Sequence, residues 1–100
     1  MKLQLTSIGG FAGPAAPQIY RLPADATPAV LQQVSRLLAE ADFFNLPTSI
    51  LKAAPRSSDF LLELRVEEGA RQHVVKCHAD AVSPAMRELL ELMQGYAVHA

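Results

Sequence analysis

The chain has little of what would suit it to export, membrane insertion or nucleic-acid binding. It has no tryptophan and a single cysteine, Cys77, which excludes an intrachain disulfide framework. No stretch approaches the roughly 18 consecutive apolar residues of a membrane span, and residues 1–5 lack the pattern of a signal peptide. A net charge of −1 provides no basic excess for nucleic acid or an anionic membrane. We therefore expect a soluble cytoplasmic protein that binds neither.

What is present is typical of one globular domain. The chain has 100 residues, of which 50% are hydrophobic and 19% are charged, enough for one core without metal or disulfide support. No internal repeat or low-complexity tract divides it. We expect a single domain over residues 1–100.

Two short strands joined by a long loop are predicted near the start of the chain. Residues 2–6 alternate polar and apolar, which is the period of a half-buried strand, and residues 18–22 form a second candidate strand. The loop between them, residues 8–16, contains Gly9 and Gly10, which permit positive φ angles.

A first helix is predicted to begin at Thr27 and Pro28. A hydroxyl residue caps the free N–H groups of a helix start, and proline suits the first helical position. Apolar residues then recur at spacings of three and four, which predicts one buried stripe that ends near Asp42. The aromatic pair Phe43 and Phe44 follows, and we expect it to belong to the core.

A second helix is predicted from the same start signal, Ser83 followed by Pro84. Gly95 is well placed to end this helix, because glycine is the usual residue just beyond a helix C-terminus. We expect residues 96–100 to form a frayed or loosely packed tail.

A β-hairpin between the helices is the clearest pattern in the sequence. Residues 60–66 alternate apolar and polar, residues 68–70 form a tight turn, and residues 72–78 return with Val75 and Cys77 facing inward. The order ββαββα with one-sided alternation predicts an α+β fold, in which two helices pack on one face of a four-stranded antiparallel sheet.

No group of residues has the spacing of a catalytic or metal site. His73, Cys77 and His78 are the only clustered metal-type ligands, and they lack the paired spacing of a structural zinc site. We interpret them as two surface histidines beside a buried cysteine. The glutamates at 63, 67 and 68 fit a solvated strand face. We predict no catalytic residue, no metal and no cofactor, and therefore no enzyme.

Two apolar segments in loops are candidates for contact with a partner. Phe11 follows Gly9 and Gly10 in the first long loop, and Ile50 and Leu51 lie in the loop that follows the first helix. Each segment either folds back onto the core or presents an apolar anchor to another molecule. The sequence pattern leaves both alternatives open.

Several short runs in a fixed order resemble the emfourin family, whose members inhibit protealysin and other thermolysin-like metallopeptidases. The resemblance covers residues 1 to about 93. The runs that carry it are residues 1–6, Gly9-Gly10-Phe11, residues 43–47, 62–69, 73–75 and 84–90.

The resemblance implies a non-enzymatic inhibitor that occupies the active-site cleft of a thermolysin-like zinc metallopeptidase. Such enzymes favour a bulky apolar residue just after the cleaved bond, a role open to Phe11, Ile50 or Leu51. Gly9, Gly10, Phe11, Ile50 and Leu51 are accordingly the candidate protease contacts. The alternative is a non-enzymatic adaptor that binds a different protein through its sheet edge or open face.

Overall fold

The computed structural model describes residues 1–8, 18–23, 25–52, 61–96 and 98–99. It shows an α+β fold with two helices and one mixed sheet. The strands are β1 (Lys2–Ile8), β2 (Gln18–Arg21), β3 (Ser49–Ile50), β4 (Leu61–Glu68), β5 (Arg71–His78) and β6 (Val98–His99). The helices are α1 (Pro28–Ala41) and α2 (Pro84–Tyr96), and short 3-10 turns cover Phe43–Asn45 and Ala79–Ala81.

The predicted four-stranded antiparallel sheet is wrong in both strand number and direction. The described strands form a six-stranded sheet in the order β3-β5-β4-β1-β2-β6, in which β3 runs parallel to β5 and the other pairs are antiparallel. β3 and β6 have two residues each, which is too short for alternation to show in the sequence. The predicted tail therefore contains a strand, β6, that pairs with β2.

α1 begins and ends as predicted. Thr27 Oγ1 accepts a hydrogen bond of 3.3 Å from the Val30 N–H, which satisfies one of the free donors of the first turn. At the other end Asp42 adopts a left-handed conformation with φ of 52°, and its N–H donates back to the Ala39 carbonyl at 3.1 Å. This geometry closes the helix and turns the chain into Phe43–Asn45.

α2 begins as predicted and ends later than predicted. Ser83 Oγ accepts from the Met86 N–H at 3.3 Å, and Pro84 is the first helical residue. Gly95 lies inside the last turn, and the helix runs on to Tyr96. Glycine costs a helix only about 1 kcal/mol relative to alanine, so neighbouring structure can override it as a stop signal.

The two helices cover one face of the sheet, as predicted. Strand alternation sends Leu3 and Leu5 of β1, and the even-numbered apolar residues of β4, toward the helices. The buried apolar residues form one cluster: Leu3, Leu5, Val34, Leu37, Leu38, Ala41, Phe43, Leu62, Leu64, Val66, Val75, Cys77, Met86, Leu89, Leu90, Leu92 and Met93. The other face of the sheet carries Gln4, Arg65 and Arg21 side by side on neighbouring strands.

The hairpin of β4 and β5 is confirmed over residues 61–78. Gly69 and Ala70 form its two-residue turn, and Gly69 has a φ of +60° while Ala70 does not have a positive φ. This is the pattern of a type II′ turn, whose twist matches that of the flanking strands. Leu61 and His78 pair at the opposite end of the hairpin.

Candidate functional site

Strand pairing brings the starts and ends of both candidate loops to one end of the sheet. Ile8 pairs with Leu61, Leu61 pairs with His78, and Gln18 pairs with Ser7. The chain therefore leaves the sheet at Ile8 and re-enters it at Gln18 at this end, and it re-enters the sheet at Leu61 beside Ile8. We call this region, formed by Ile8, Gln18, Leu61 and His78 with the segment 48–52, the loop end.

Of the five predicted contact residues, three fall outside the described residues. Gly9, Gly10 and Phe11 belong to this group, and their role stays a prediction. Ile50 and Leu51 are both described. They lie at the same end of the sheet as the points where the first loop joins it, but β5 and β4 stand between β3 and β1.

Ile50 and Leu51 differ sharply in exposure. Ile50 pairs with Cys77 in the parallel ladder, and its half-buried side chain packs against the core. The next residue, Leu51, is 51% exposed, whereas Met1, the other exposed large apolar residue among those described, is 43% exposed. Packing of Ile50 thus fixes the backbone from which Leu51 is presented to solvent.

Hydrogen bonds hold the segment on both sides of Leu51. Before it, the Lys76 N–H donates to the Thr48 carbonyl at 2.8 Å. After it, the Lys52 N–H donates to Nδ1 of His78 at 3.0 Å. A backbone N–H can only donate, so Nδ1 carries no proton and the neutral ring has its proton on Nε2.

His78 is the residue at this site whose role sequence reasoning missed. We interpreted it as a surface histidine, but it is only 8% exposed and its ring acts as an acceptor for the backbone. An ion pair of 3.5 Å between Lys52 Nζ and Asp80 Oδ2 lies nearby and is open to solvent, so it contributes about 1 kcal/mol or less. No sequence motif predicts the hydrogen bond between Lys52 and His78, because it joins residues 26 positions apart.

The chain between α1 and β3 is also held by contacts with side chains of β5. His73 donates from Nε2 to the Leu46 carbonyl at 2.7 Å, and its ring meets the Phe43 ring edge-on at a centroid distance of 5.5 Å. Phe43 is fully buried, as predicted, while Phe44 is half-buried beneath the Arg71 guanidinium, which lies 4.2 Å from the ring centroid. These contacts give the segment that carries Leu51 a rigid base.

The cysteine near the site is a core residue. Cys77 is buried with no exposed surface, and burial raises the pKa of its thiol to about 11. The thiol therefore stays protonated at neutral pH and is a poor nucleophile. Within the described residues, no three histidine, cysteine or acidic side chains are grouped as metal ligands. No helix in the same part of the chain is long and apolar enough to cross a membrane.

The whole-chain comparison agrees with the resemblance carried by the short sequence runs. The sequence model of the Emfourin family matches residues 5–94. No curated protein and no solved structure matches the chain. Because the matched region spans nearly the whole chain, with all of α1, most of β1 and α2, and the strands from β2 to β5, the chain belongs to the Emfourin family.

Proposed function

We propose that this protein inhibits thermolysin-like, protealysin-type zinc metallopeptidases by filling the active-site cleft with the segment around Leu51. The observation that carries the proposal is an exposed leucine on a backbone held in place on both sides. The family assignment supports a role as an inhibitor. The geometry supports the segment around Leu51 as the part that contacts the enzyme.

Leu51 has the chemistry that such a cleft selects. The resemblance implies an enzyme pocket for a bulky apolar residue just after the cleaved bond, which corresponds here to the bond between Ile50 and Leu51. A leucine side chain that leaves water to fill an apolar pocket stabilises the complex through the apolar surface that it buries. Ile50 packs against the core and would support the anchor from beneath.

The fixed backbone lowers the entropic cost of binding. A flexible loop loses conformational entropy when it docks, whereas a segment already tied down on both sides loses little. β3 is also an edge strand of the described sheet, so its outer side can add to a strand of the partner. Backbone pairing and the leucine anchor would then act together.

The same contacts explain how an inhibitor of this kind would resist turnover. Ile50 is held by β5 and Lys52 is held by His78, so both ends of a cut at the Ile50–Leu51 bond would stay in place. Products that cannot separate favour resealing of the bond over release. The inhibitor would thus leave the enzyme slowly even after cleavage.

The first test is a titration of the purified protein against thermolysin and a protealysin-like enzyme, with residual peptidase activity as the measurement. We expect inhibition at or below micromolar protein, the range of a specific interface. Absence of inhibition with several such enzymes would remove the proposal. A stable complex with a non-protease partner in its place would support the adaptor alternative.

The second test asks whether Leu51 is the anchor. Leu51→Asp should raise the inhibition constant by about 30-fold or more, because burial of a leucine side chain contributes ~2 kcal/mol and the new charge would be desolvated. Gln32→Asp, which adds the same charge at an exposed site on α1, is the matched control and should change little. Unchanged inhibition by Leu51→Asp would disprove the role of this segment and leave the function intact.

Phe11→Ala tests one of the predicted contact residues that lie outside the described residues. We expect it to weaken inhibition if the loop at residues 9–17 shares the interface, since that loop joins the sheet at the same end as Leu51. Thermal unfolding of both variants checks that the fold survives. An inhibition constant equal to that of the wild type would restrict the contact to the Leu51 segment.

A further inference from the structure

A groove at the opposite end of the sheet combines an apolar floor with a basic rim. It has a volume of about 620 Å³. Leu3, Leu22 and Leu31 contribute the apolar lining from β1, the segment after β2, and α1. Three cationic side chains on its rim, Lys2, Arg21 and Arg65, are exposed. We call this site the basic groove.

The two arginines lie in one cross-strand row. Arg65 of β4 and Arg21 of β2 both pair with Gln4 of β1, which stands between them. The Arg21 Nε donates to Gln4 Oε1 at 3.1 Å, so this guanidinium is oriented while its terminal nitrogens point elsewhere. Strands lie about 4.8 Å apart, so the backbone positions of Arg21 and Arg65 are ~10 Å apart, with Gln4 between them.

The positive charge of the rim is not neutralised within the described structure. Lys2 and Arg65 form no side-chain hydrogen bond or ion pair among the described residues. Glu67 is the one carboxylate among the lining residues, and it stands opposite Lys2 in the register. In a chain whose net charge is −1, three cations around one groove are a local excess.

We infer that the basic groove binds an extended acidic peptide segment of a protein partner, with a carboxylate between Arg21 and Arg65 and an apolar side chain on the leucine floor. Guanidinium groups bind carboxylates through paired, charge-assisted hydrogen bonds. The apolar lining then selects peptides in which an aliphatic residue lies next to the acidic one.

The shape of the site favours a peptide over a small enclosed ligand. The groove is open to solvent, and sites for small molecules usually enclose most of the ligand surface. A second depression of about 290 Å³, lined also by Asp25, Ala26, Thr27 and Val30, shares Leu22 and Pro23 with it. The two depressions are therefore neighbours, and the Asp25 carboxylate makes the second one unfavourable for the acidic residues of the peptide.

The site is separate from the proposed inhibitory segment. Arg65 and Glu67 lie near the end of β4, whereas Leu61 at its start belongs to the loop end. At about 3.3 Å per residue the two ends are ~20 Å apart. Binding at the basic groove therefore does not depend on the proposed inhibition of a peptidase, and either proposal can fail without the other.

The test is an NMR titration of the isotopically labelled full chain with two acetylated, C-terminally amidated peptides, Leu-Leu-Glu-Glu and its uncharged analogue Leu-Leu-Gln-Gln. We expect saturable shifts of the amides of Lys2, Gln4, Arg21 and Leu31 with the acidic peptide. The analogue should bind about tenfold more weakly or worse, because it lacks the charge-assisted bonds. Added salt should weaken binding of the acidic peptide and leave binding of the uncharged analogue unchanged.

Variants test whether Arg21 and Arg65 supply the positive charge that binds the acidic peptide. The double change Arg21→Gln and Arg65→Gln should reduce affinity for the acidic peptide about tenfold or more, while Arg36→Gln, an exposed arginine on α1 outside the groove, should not. Peptidase inhibition by the double variant should match that of the wild type, since the variant leaves the loop end intact.

Four results would overturn the inference. These are no shifts with the acidic peptide, equal affinity for both peptides, occupancy by decanoate in preference to the peptide, and groove shifts that depend only on protein concentration. Decanoate would identify a lipid-type carboxylate as the ligand, and concentration dependence would identify a second copy of the chain.

Discussion

At the scale of single residues, His78 shows how one side chain can fix a backbone position. Its Nδ1 lone pair accepts the Lys52 N–H immediately after Leu51, and the ring is almost fully buried. The loss of a buried acceptor leaves a donor unpaired, which costs about 1–3 kcal/mol. The geometry of the proposed inhibitory segment therefore depends on a residue that we do not expect to touch the enzyme.

Two replacements of His78 separate the acceptor from the bulk of the ring. His78→Leu keeps an apolar group of similar size but removes the acceptor, so the Lys52 amide should exchange its hydrogen at least about fivefold faster, as loss of a ~1 kcal/mol bond requires. Inhibition of the peptidase should weaken in parallel. His78→Asn places an acceptor near the former Nδ1 position and should restore part of both properties.

Equal behaviour of the two His78 variants would contradict this role. If both weaken inhibition to the same degree, the histidine matters through its volume. If neither does, the Lys52 contact is not needed to hold Leu51 in place. Hydrogen exchange measured by NMR on the free protein gives a readout that does not depend on the proposed function.

Because Cys77 is buried, we expect the wild type and Cys77→Ala to differ in how their stability changes at alkaline pH. Burial raises the pKa of its thiol from 9.0 to about 11, so folding disfavours the thiolate. The contribution of the buried thiol to the free energy of unfolding is complete below pH 9.0. It is lost as the pH rises toward 11, since the unfolded chain releases the thiol proton first. Urea unfolding of the wild type should therefore lose more stability over this range than Cys77→Ala does. Parallel losses would show that the thiol is not the cause.

At the scale of secondary-structure elements, two glycines should respond to alanine in opposite ways. Gly69 has a φ of +60° in the hairpin turn, and an added Cβ would meet nothing within 4 Å, so only backbone strain opposes the change. Gly69→Ala should destabilise the fold by roughly 1–2 kcal/mol. Gly95, inside α2 and equally unobstructed, should gain about 0.5–1 kcal/mol as alanine.

Thermal or urea unfolding of Gly69→Ala and Gly95→Ala gives the comparison directly. The pair controls for composition, since the same atoms are added in each case. A stabilising effect at Gly69 would mean that the turn adopts another conformation. A loss at Gly95 would mean that α2 ends before this residue, as the sequence pattern predicted.

The secondary-structure elements also differ in how well the sequence predicts them. α1 and the hairpin of β4 and β5 repeat their hydrophobic period often enough to be recognised, and their caps and turn residues mark the boundaries. β3 and β6 carry two residues each, so tertiary pairing alone defines them. The parallel direction of β3 follows from the path of the chain after α1, which local propensity does not encode.

The candidate site was predictable to a similar degree. Leu51 could be proposed because an apolar pair stands in a polar loop. Which member of the pair is exposed depends on the register with Cys77, which is a long-range contact. The same limit applies to the basic groove, since Arg21 and Arg65 become neighbours of Gln4 only when β1 lies between β2 and β4.

At the scale of the whole molecule, the two proposed surfaces should act independently. They lie at opposite ends of strands that are seven to eight residues long, roughly 20 Å apart, and share no side chain. Changes at that separation usually add within about 0.5 kcal/mol. A protein that carries Leu51→Asp together with the two groove changes should show the sum of the separate effects on inhibition and on peptide binding. A departure beyond that margin would reveal coupling through the sheet.

The two-residue strands at the borders of the described sheet have a consequence for association with other molecules. β3 pairs with only Lys76 and Cys77 of β5, and the segment before β3 contacts the same strand through the bond between His73 and the Leu46 carbonyl. A loop or turn that covers a strand edge removes a template on which another chain could extend the sheet. Backbone pairing with a partner at this border is thereby directed to the short β3.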